Sequence, residues 1–151
     1  MKLEVMTDAV KEYLKKEDLN YYHDEEKNIF LLPFSFDHIK VHEVVRVEED
    51  GLQVFAYLPI KAEEKNRQEV ITYMNHLNWK FRRGCFEMDP EDGEVRFRVY
   101  CDCEGLENIS ENMIENSIHI PLAMAKNYGD HLLRLIQGTS TAEEEIGSED
   151  D

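Results

Sequence analysis

The chain has 151 residues, enough for one domain with a substantial core. Acids outnumber bases 33 to 17, giving a net charge of −16. A field of that sign repels phosphate backbones and anionic bilayers, so neither nucleic acid nor membrane is an expected partner.

No apolar run approaches the roughly 20 residues that span a bilayer, and residues 1–8 lack the apolar core of a signal peptide. Cys85, Cys101 and Cys103 are odd in number and follow no disulfide framework, which predicts reduced thiols in a cytoplasm.

Taken in order, Thr7 is expected to cap a first helix, with Asp8 in its first turn. Met6, Ala9, Val10, Tyr13 and Leu14 give that helix one apolar face, and it should fade over 16–20. Residues 21–27 are polar after two tyrosines and lead towards a strand. Residues 28–36 are apolar and aromatic, and Pro33 within them argues for an edge strand or a bulge. Residues 39–47 place Ile39, Val41, Val45 and Val47 on one face. After a turn at 48–51, residues 52–58 put Leu52, Val54, Ala56 and Leu58 on one face and Phe55 and Tyr57 on the other. Pro59 ends that strand.

Residues 62–77 read as a second helix with Val70, Met74 and Leu77 as its stripe. The basic residues Lys80, Arg82 and Arg83 follow. A β-hairpin then spans 86–101: Asp89-Pro90 and Asp92-Gly93 mark its turn, and Val95, Phe97, Val99 and Cys101 alternate with Glu94, Arg96, Arg98 and Tyr100. Ser110 is expected to cap a third helix whose apolar spacing runs from Ile114 to Ile136. Pro121 should kink or split it, and Gly138 should stop it. From Thr139 on there are six acids and no base, a composition that predicts a disordered acidic tail over 139–151.

The segment Tyr73-Met74-Asn75-His76-Leu77-Asn78, the hairpin start Gly84-Cys85-Phe86-Glu87-Met88-Asp89 and the strand Glu94-Val95-Arg96-Phe97-Arg98 resemble YbjN-like proteins, described as bacterial sensory-transduction regulators. Paired asparagines before a Gly-x-Phe-x-x-Asp hairpin, then a helix capped at Ser110-Glu111, carry the resemblance over about residues 7–138. The family is similar in fold to the chaperones of type III secretion. The resemblance implies a curved, mostly antiparallel sheet with helices on one face, a homodimer, and client segments bound on the surface. It brings no catalytic motif, so no enzymatic activity is expected from it.

Candidate chemistry was sought against the plainest alternative. Asp89, Glu91, Asp92 and Glu94 lack the ligand spacing of a calcium loop and read as a solvated turn. Cys101 and Cys103, with Cys85 on a neighbouring strand, lack zinc spacing and read as small apolar residues. The six histidines form no metal-binding pair, His38 and His42 falling on one strand face well apart. No catalytic, cofactor-binding or metal residue is assigned. The basic spot formed by Lys80, Arg82 and Arg83, with Arg96 and Arg98 nearby in the hairpin, either meets an acidic partner or pairs with Glu87 and Glu94 across the hairpin. Phe55 and Tyr57, with Phe30, Leu32, Phe34 and Phe36, exceed what one helix layer covers and mark an interface, unless the third helix covers that face.

The sequence thus predicts a single α+β domain over 1–138. Its sheet is five-stranded and mainly antiparallel, with three helices in the order α-β-β-β-α-β-β-α. The expected function is non-enzymatic protein binding by a cytoplasmic regulator or secretion-chaperone-like homodimer with an unknown protein partner. Phe55, Tyr57, Arg82, Arg83, Arg96, Arg98 and Tyr100 are its expected contact residues. The alternative is a small-molecule binder or enzyme using a pocket between sheet and helices.

Overall fold

A computed structural model describes residues 2–149. Among them the chain forms six strands and four helices: α1 (Leu3–Lys16), β1 (Tyr22–Asp24), β2 (Ile29–Phe36), β3 (Ile39–Glu48), β4 (Gly51–Tyr57), α2 (Arg67–Lys80), β5 (Cys85–Met88), β6 (Val95–Asp102), α3 (Glu111–Ile136) and α4 (Ala142–Ser148). The strands make one open antiparallel sheet in the order β1-β2-β3-β4-β6-β5. The α+β class holds, with six strands in place of five and four helices in place of three.

The added strand is β1, which pairs Tyr22, His23 and Asp24 with Leu31, Phe30 and Ile29. Its turn is built by Asn28 at φ 51° and by the Asp24 carboxylate, which accepts the Lys27 N–H at 3.1 Å. Asparagine tolerates that left-handed backbone. Pro33 sits on β2 beyond the end of β1, where the strand edge is open and a missing N–H costs no ladder bond.

Strand alternation sorts the side chains cleanly. Val41 and Val45 of β3, Val54 and Ala56 of β4, and Val95 and Phe97 of β6 face inward. The helices pack on that face alone, their buried residues joining the strand residues in one core cluster. Phe30 and Leu32 also face this core, and Phe34 and Phe36 pack against it. The expectation that these four add to an outer apolar face is therefore corrected, because residues two apart on a strand share a side.

Helix α1 begins at Leu3, and no side chain caps it. Thr7 lies inside it and donates its hydroxyl to the Leu3 carbonyl at 2.8 Å, so the expected Thr7 cap is corrected. Ser110 does cap α3, accepting the Met113 N–H at 3.1 Å. Helix α3 runs unbroken past Pro121 to Ile136. Gly129 lets it approach the sheet closely: a Cβ there would lie 2.7 Å from Ile39 Cδ1. At its end Gly138 takes φ 74°, its N–H bonds Leu135 O, and the Thr139 N–H bonds Arg134 O. That is the paired geometry of a glycine-terminated helix.

The segment after Gly138 is helical over 142–148 where the acidic composition predicts disorder. Thr141 caps α4 by accepting the Glu144 N–H at 3.2 Å, and tertiary ion pairs hold it down. Asp150 and Asp151, part of the same expected tail, lie outside the described residues, as does Met1.

One inward position breaks the apolar rule. Glu43 occupies the register of Val41 and Val45, between Leu32 and Ala56 on the flanking strands. It is fully buried, and neither carboxylate oxygen has a hydrogen-bond partner among the described residues. Burial pushes its carboxyl well above the ordinary value. Glu43→Met is expected to raise unfolding stability by about 1–3 kcal/mol, because it removes an unsatisfied buried group. Its pH signature follows from linkage. Above pH 4.5 the unfolded chain gives up this proton while the folded chain keeps it, so wild-type stability falls relative to the variant as pH rises. Denaturant titrations from pH 4 to 8 should show the gap widening; a constant gap would show that the carboxyl is solvated.

Candidate functional site

The outward face of the sheet carries the aromatic and cationic residues. On β4 these are Gln53, Phe55 and Tyr57, and on β6 they are Arg96, Arg98 and Tyr100. Antiparallel register sets Phe55 opposite Arg98 and Tyr57 opposite Arg96, with Val44 and His42 on the other side. A row of Tyr22, Leu31, Val44 and Phe55 thereby crosses four strands.

Phe55 is only 1% exposed, although it stands outside the core cluster. Cations cover it: the Arg96 guanidinium lies 4.1 Å from its ring centroid and that of Arg46 lies at 5.2 Å. Arginine stacks well here because its guanidinium is planar and weakly hydrated. Arg96 also donates to the Tyr57 hydroxyl at 2.8 Å and to Glu87 at 2.6 Å. Arg98 reaches the same Glu87 carboxylate at 3.2 Å. The expected cross-hairpin pairing is thus found at Glu87, where one carboxylate serves two guanidiniums. The Glu94 carboxylate makes no such pair among the described residues, and its backbone N–H donates to Asp92 Oδ1 at 3.0 Å. Tyr57, Arg96 and Glu87 line a groove of about 320 Å³ with Met88, Pro90 and Glu94.

The remaining expected contact residues are more dispersed. Tyr100 is exposed, at the β6 end of the face. Arg82 and Arg83 are exposed between α2 and β5 and make no ion pair among the described residues; Arg83 and Tyr100 line a common groove against α3. Lys80 is drawn away from them to Glu149 at 3.3 Å. Asn78 has a structural role: its side-chain amide bonds both the N–H and the carbonyl of Phe86, each at 2.9 Å, and so fastens α2 to β5.

Cys101 and Cys103 are neighbours, but Cys85 stands apart from them. Cys85 lies opposite Arg98 on the outward register, whereas Cys101 packs against the core. Burial and then the neighbouring Cys101 push the Cys103 thiol up to about 12, a poor nucleophile. Of the hairpin acids, Asp92 pairs with Lys61 at 2.9 Å and Asp89 accepts the Glu91 N–H. His38 falls in the β2–β3 turn, correcting its expected place on a strand, and pairs with Asp130 on α3 at 2.8 Å.

Sequence reasoning passed over a second polar cluster, between α2, α3 and α4. Arg134 donates to Glu145 at 2.7 Å, His131 Nδ1 lies 2.7 Å from the same carboxylate, and Ser140 donates to it as well. The Arg134 hydrogen bond chiefly holds the Glu145 carboxyl down at about 2, against its partial burial. Four residues on, Glu149 accepts from Tyr73 and Lys80 and lies 3.0 Å from His76 Nε2. Burial raises the Glu149 carboxyl and these bonds outweigh it, leaving it below its ordinary value. Glu145 and Glu149 lie four residues apart, as do His76 and Lys80, but nothing in the local sequence links them to α2 or α3.

Among the described residues no helix is long and apolar enough to cross a membrane. No curated protein matches the sequence. In fold the chain is similar to a chain in the crystal structure of the ExsC-ExsE complex, with TM-score 0.56 at 15% identity, covering 83% of this chain and 92% of that one. The secretion-chaperone-like arrangement expected from the resemblance is the fold found. The sequence profile of the YbjN family, described as "Putative bacterial sensory transduction regulator", matches residues 7–134. With most of its length matched, from within α1 to the last turn of α3, this chain belongs to the YbjN family.

Proposed function

We propose that this protein is a non-enzymatic protein-binding module, a regulator or secretion-chaperone-like homodimer that works through the outward face of its sheet. The observation that carries the reading is the one-sidedness of the fold. All four helices leave the outward face uncovered, and Tyr22, Leu31 and Tyr100 stand exposed there around the Arg-capped Phe55. Exposed aromatic and apolar groups set among arginines are the composition of interface centres. The chain of similar fold was solved in the ExsC-ExsE complex, which supports a binding role for this fold. One core cluster joins the sheet to the helices, which favours binding on a surface over chemistry in a sheet–helix pocket. The acidic remainder of the surface keeps the protein soluble and steers basic segments towards it.

Two expectations separate surface from support. Leu31→Asp with Tyr57→Asp should convert a dimer of twice 17.8 kDa into a monomer in light scattering, with the melting transition little changed. A wild-type monomer, or an intact dimer in the double variant, would refute the sheet-face dimer. Phe55→Ala behaves differently, because Phe55 is packed beneath two guanidiniums. It should cost about 3 kcal/mol in denaturant unfolding, whether or not the protein is dimeric.

A further inference from the structure

The cluster at α4 has the form of a receptor with its occupant in place. Helix α4 has seven residues, too few to be stable alone. Its order comes from what it touches. Glu69 on α2 accepts the Ala142 N–H at 2.8 Å, Arg134 and His131 on α3 hold Glu145, and Tyr73, His76 and Lys80 on α2 hold Glu149. The two carboxylates are nearly buried, at 6% and 8% side-chain exposure, while Glu143 and Glu144 face solvent. Apolar attachment is slight, limited to buried Ala142 and half-buried Ile146.

Two features mark the trough as a site rather than a place where a tail happens to rest. In a chain of net charge −16 it gathers His76 and Lys80 of α2 around one carboxylate and His131 and Arg134 of α3 around the other. All six side chains of α2 and α3 that hold α4, Glu69 and Tyr73 included, lie within the residues 7–134 that match the family, whereas α4 lies beyond them. The receiving surface is therefore complete in the matched domain, and the acidic helix is added to it after the sharp turn at Gly138.

We propose that the α2–α3 trough is a second docking surface, which takes a short acidic helix from a partner protein, and that α4 occupies it in cis as a competitor. The fitting helix carries two carboxylates four residues apart, with a small residue one turn before the first, as Ala142, Glu145 and Glu149 do here. Charge complementarity sets the chemistry of this partner, opposite to the basic segments that the rest of the surface attracts. The tether gives α4 a high local concentration, so a free helix competes poorly until α4 is released. This surface lies apart from the outward sheet face, and the inference stands or falls without the sheet-face dimer.

The test uses the full chain and a labelled peptide of residues 139–149, followed by fluorescence anisotropy. Wild type should bind the peptide weakly. Glu145→Gln with Glu149→Gln should bind it at least tenfold more tightly, and adding Arg134→Ala should abolish the gain. A scrambled peptide of the same composition should not bind the opened variant. Equal binding by wild type and opened variant, no binding by either, or equal binding of the scrambled peptide would overturn the proposal. So would a doubling of mass with α4 exchanged between copies, which would make a second copy the occupant. Hydrogen exchange on wild type covers failure of the variants to fold. Amides of 142–149 should exchange faster than those of α2 and α3, and faster still with excess peptide; exchange of α4 only on global unfolding would also overturn the proposal.

Discussion

The pairing of β4 with β6 is the constraint on which the rest of the molecule depends. Strands β1 to β4 and strands β5 and β6 each form by local turns, but these two groups meet only where residues 51–57 pair with residues 102–96. That ladder closes a long loop containing all of α2, a costly step in chain entropy. Leu58 extends it, donating its N–H to Val95 O at 2.9 Å. Once the ladder forms, Val54 and Ala56 meet Val99 and Phe97 on the inward side, and Phe55 and Tyr57 meet Arg98 and Arg96 on the outward side. One register thus sets both the core and the candidate binding face.

The two faces are then completed by different physics. Inward, α1, α2 and α3 bring apolar stripes that join the strand residues in one cluster, and area removed from water stabilises the assembly. Outward, no second layer covers Phe55 among the described residues. Arg46 and Arg96 lie over its ring with their heads still reaching water, a compromise open to long amphipathic side chains. Arg96 is itself held by Tyr57 and Glu87, so the cover over Phe55 is set by the same register that places the ring.

Much of this was legible in the sequence, and the failures have physical causes. Partial alternation over 39–47 and clean alternation over 95–101 indicated which residues face inward; position 43 falls in the same inward register and is buried, although the chain supplies a glutamate there. The cap at Ser110, the stop at Gly138 and the hairpin turn rest on local backbone chemistry and so are visible locally. Strand β1 is only three residues long and shows no period of its own; it exists because β2 offers an edge. Helix α4 was hidden by its composition. Its order is supplied by Lys80 and Arg134, residues whose approach depends on tertiary structure that no window of sequence contains. The covering of Phe55 was hidden for the same reason, since Arg46, Phe55 and Arg96 lie on three different strands.

Scarcity of positive charge explains why a few ion pairs matter in so acidic a chain. With 33 acids and 17 bases, most carboxylates have no cation to meet and remain solvated. Three carboxylates each draw two basic groups: Glu87 draws Arg96 and Arg98, Glu145 draws Arg134 and His131, and Glu149 draws Lys80 and His76. These three carboxylates are more shielded than the surface acids around them, and shielding strengthens each contact. Competition among acids for few cations thus favours the partly buried ones. That competition fixes the outward face at Glu87 and fastens α4 at its two carboxylates, so burial selects which acids in this chain do structural work.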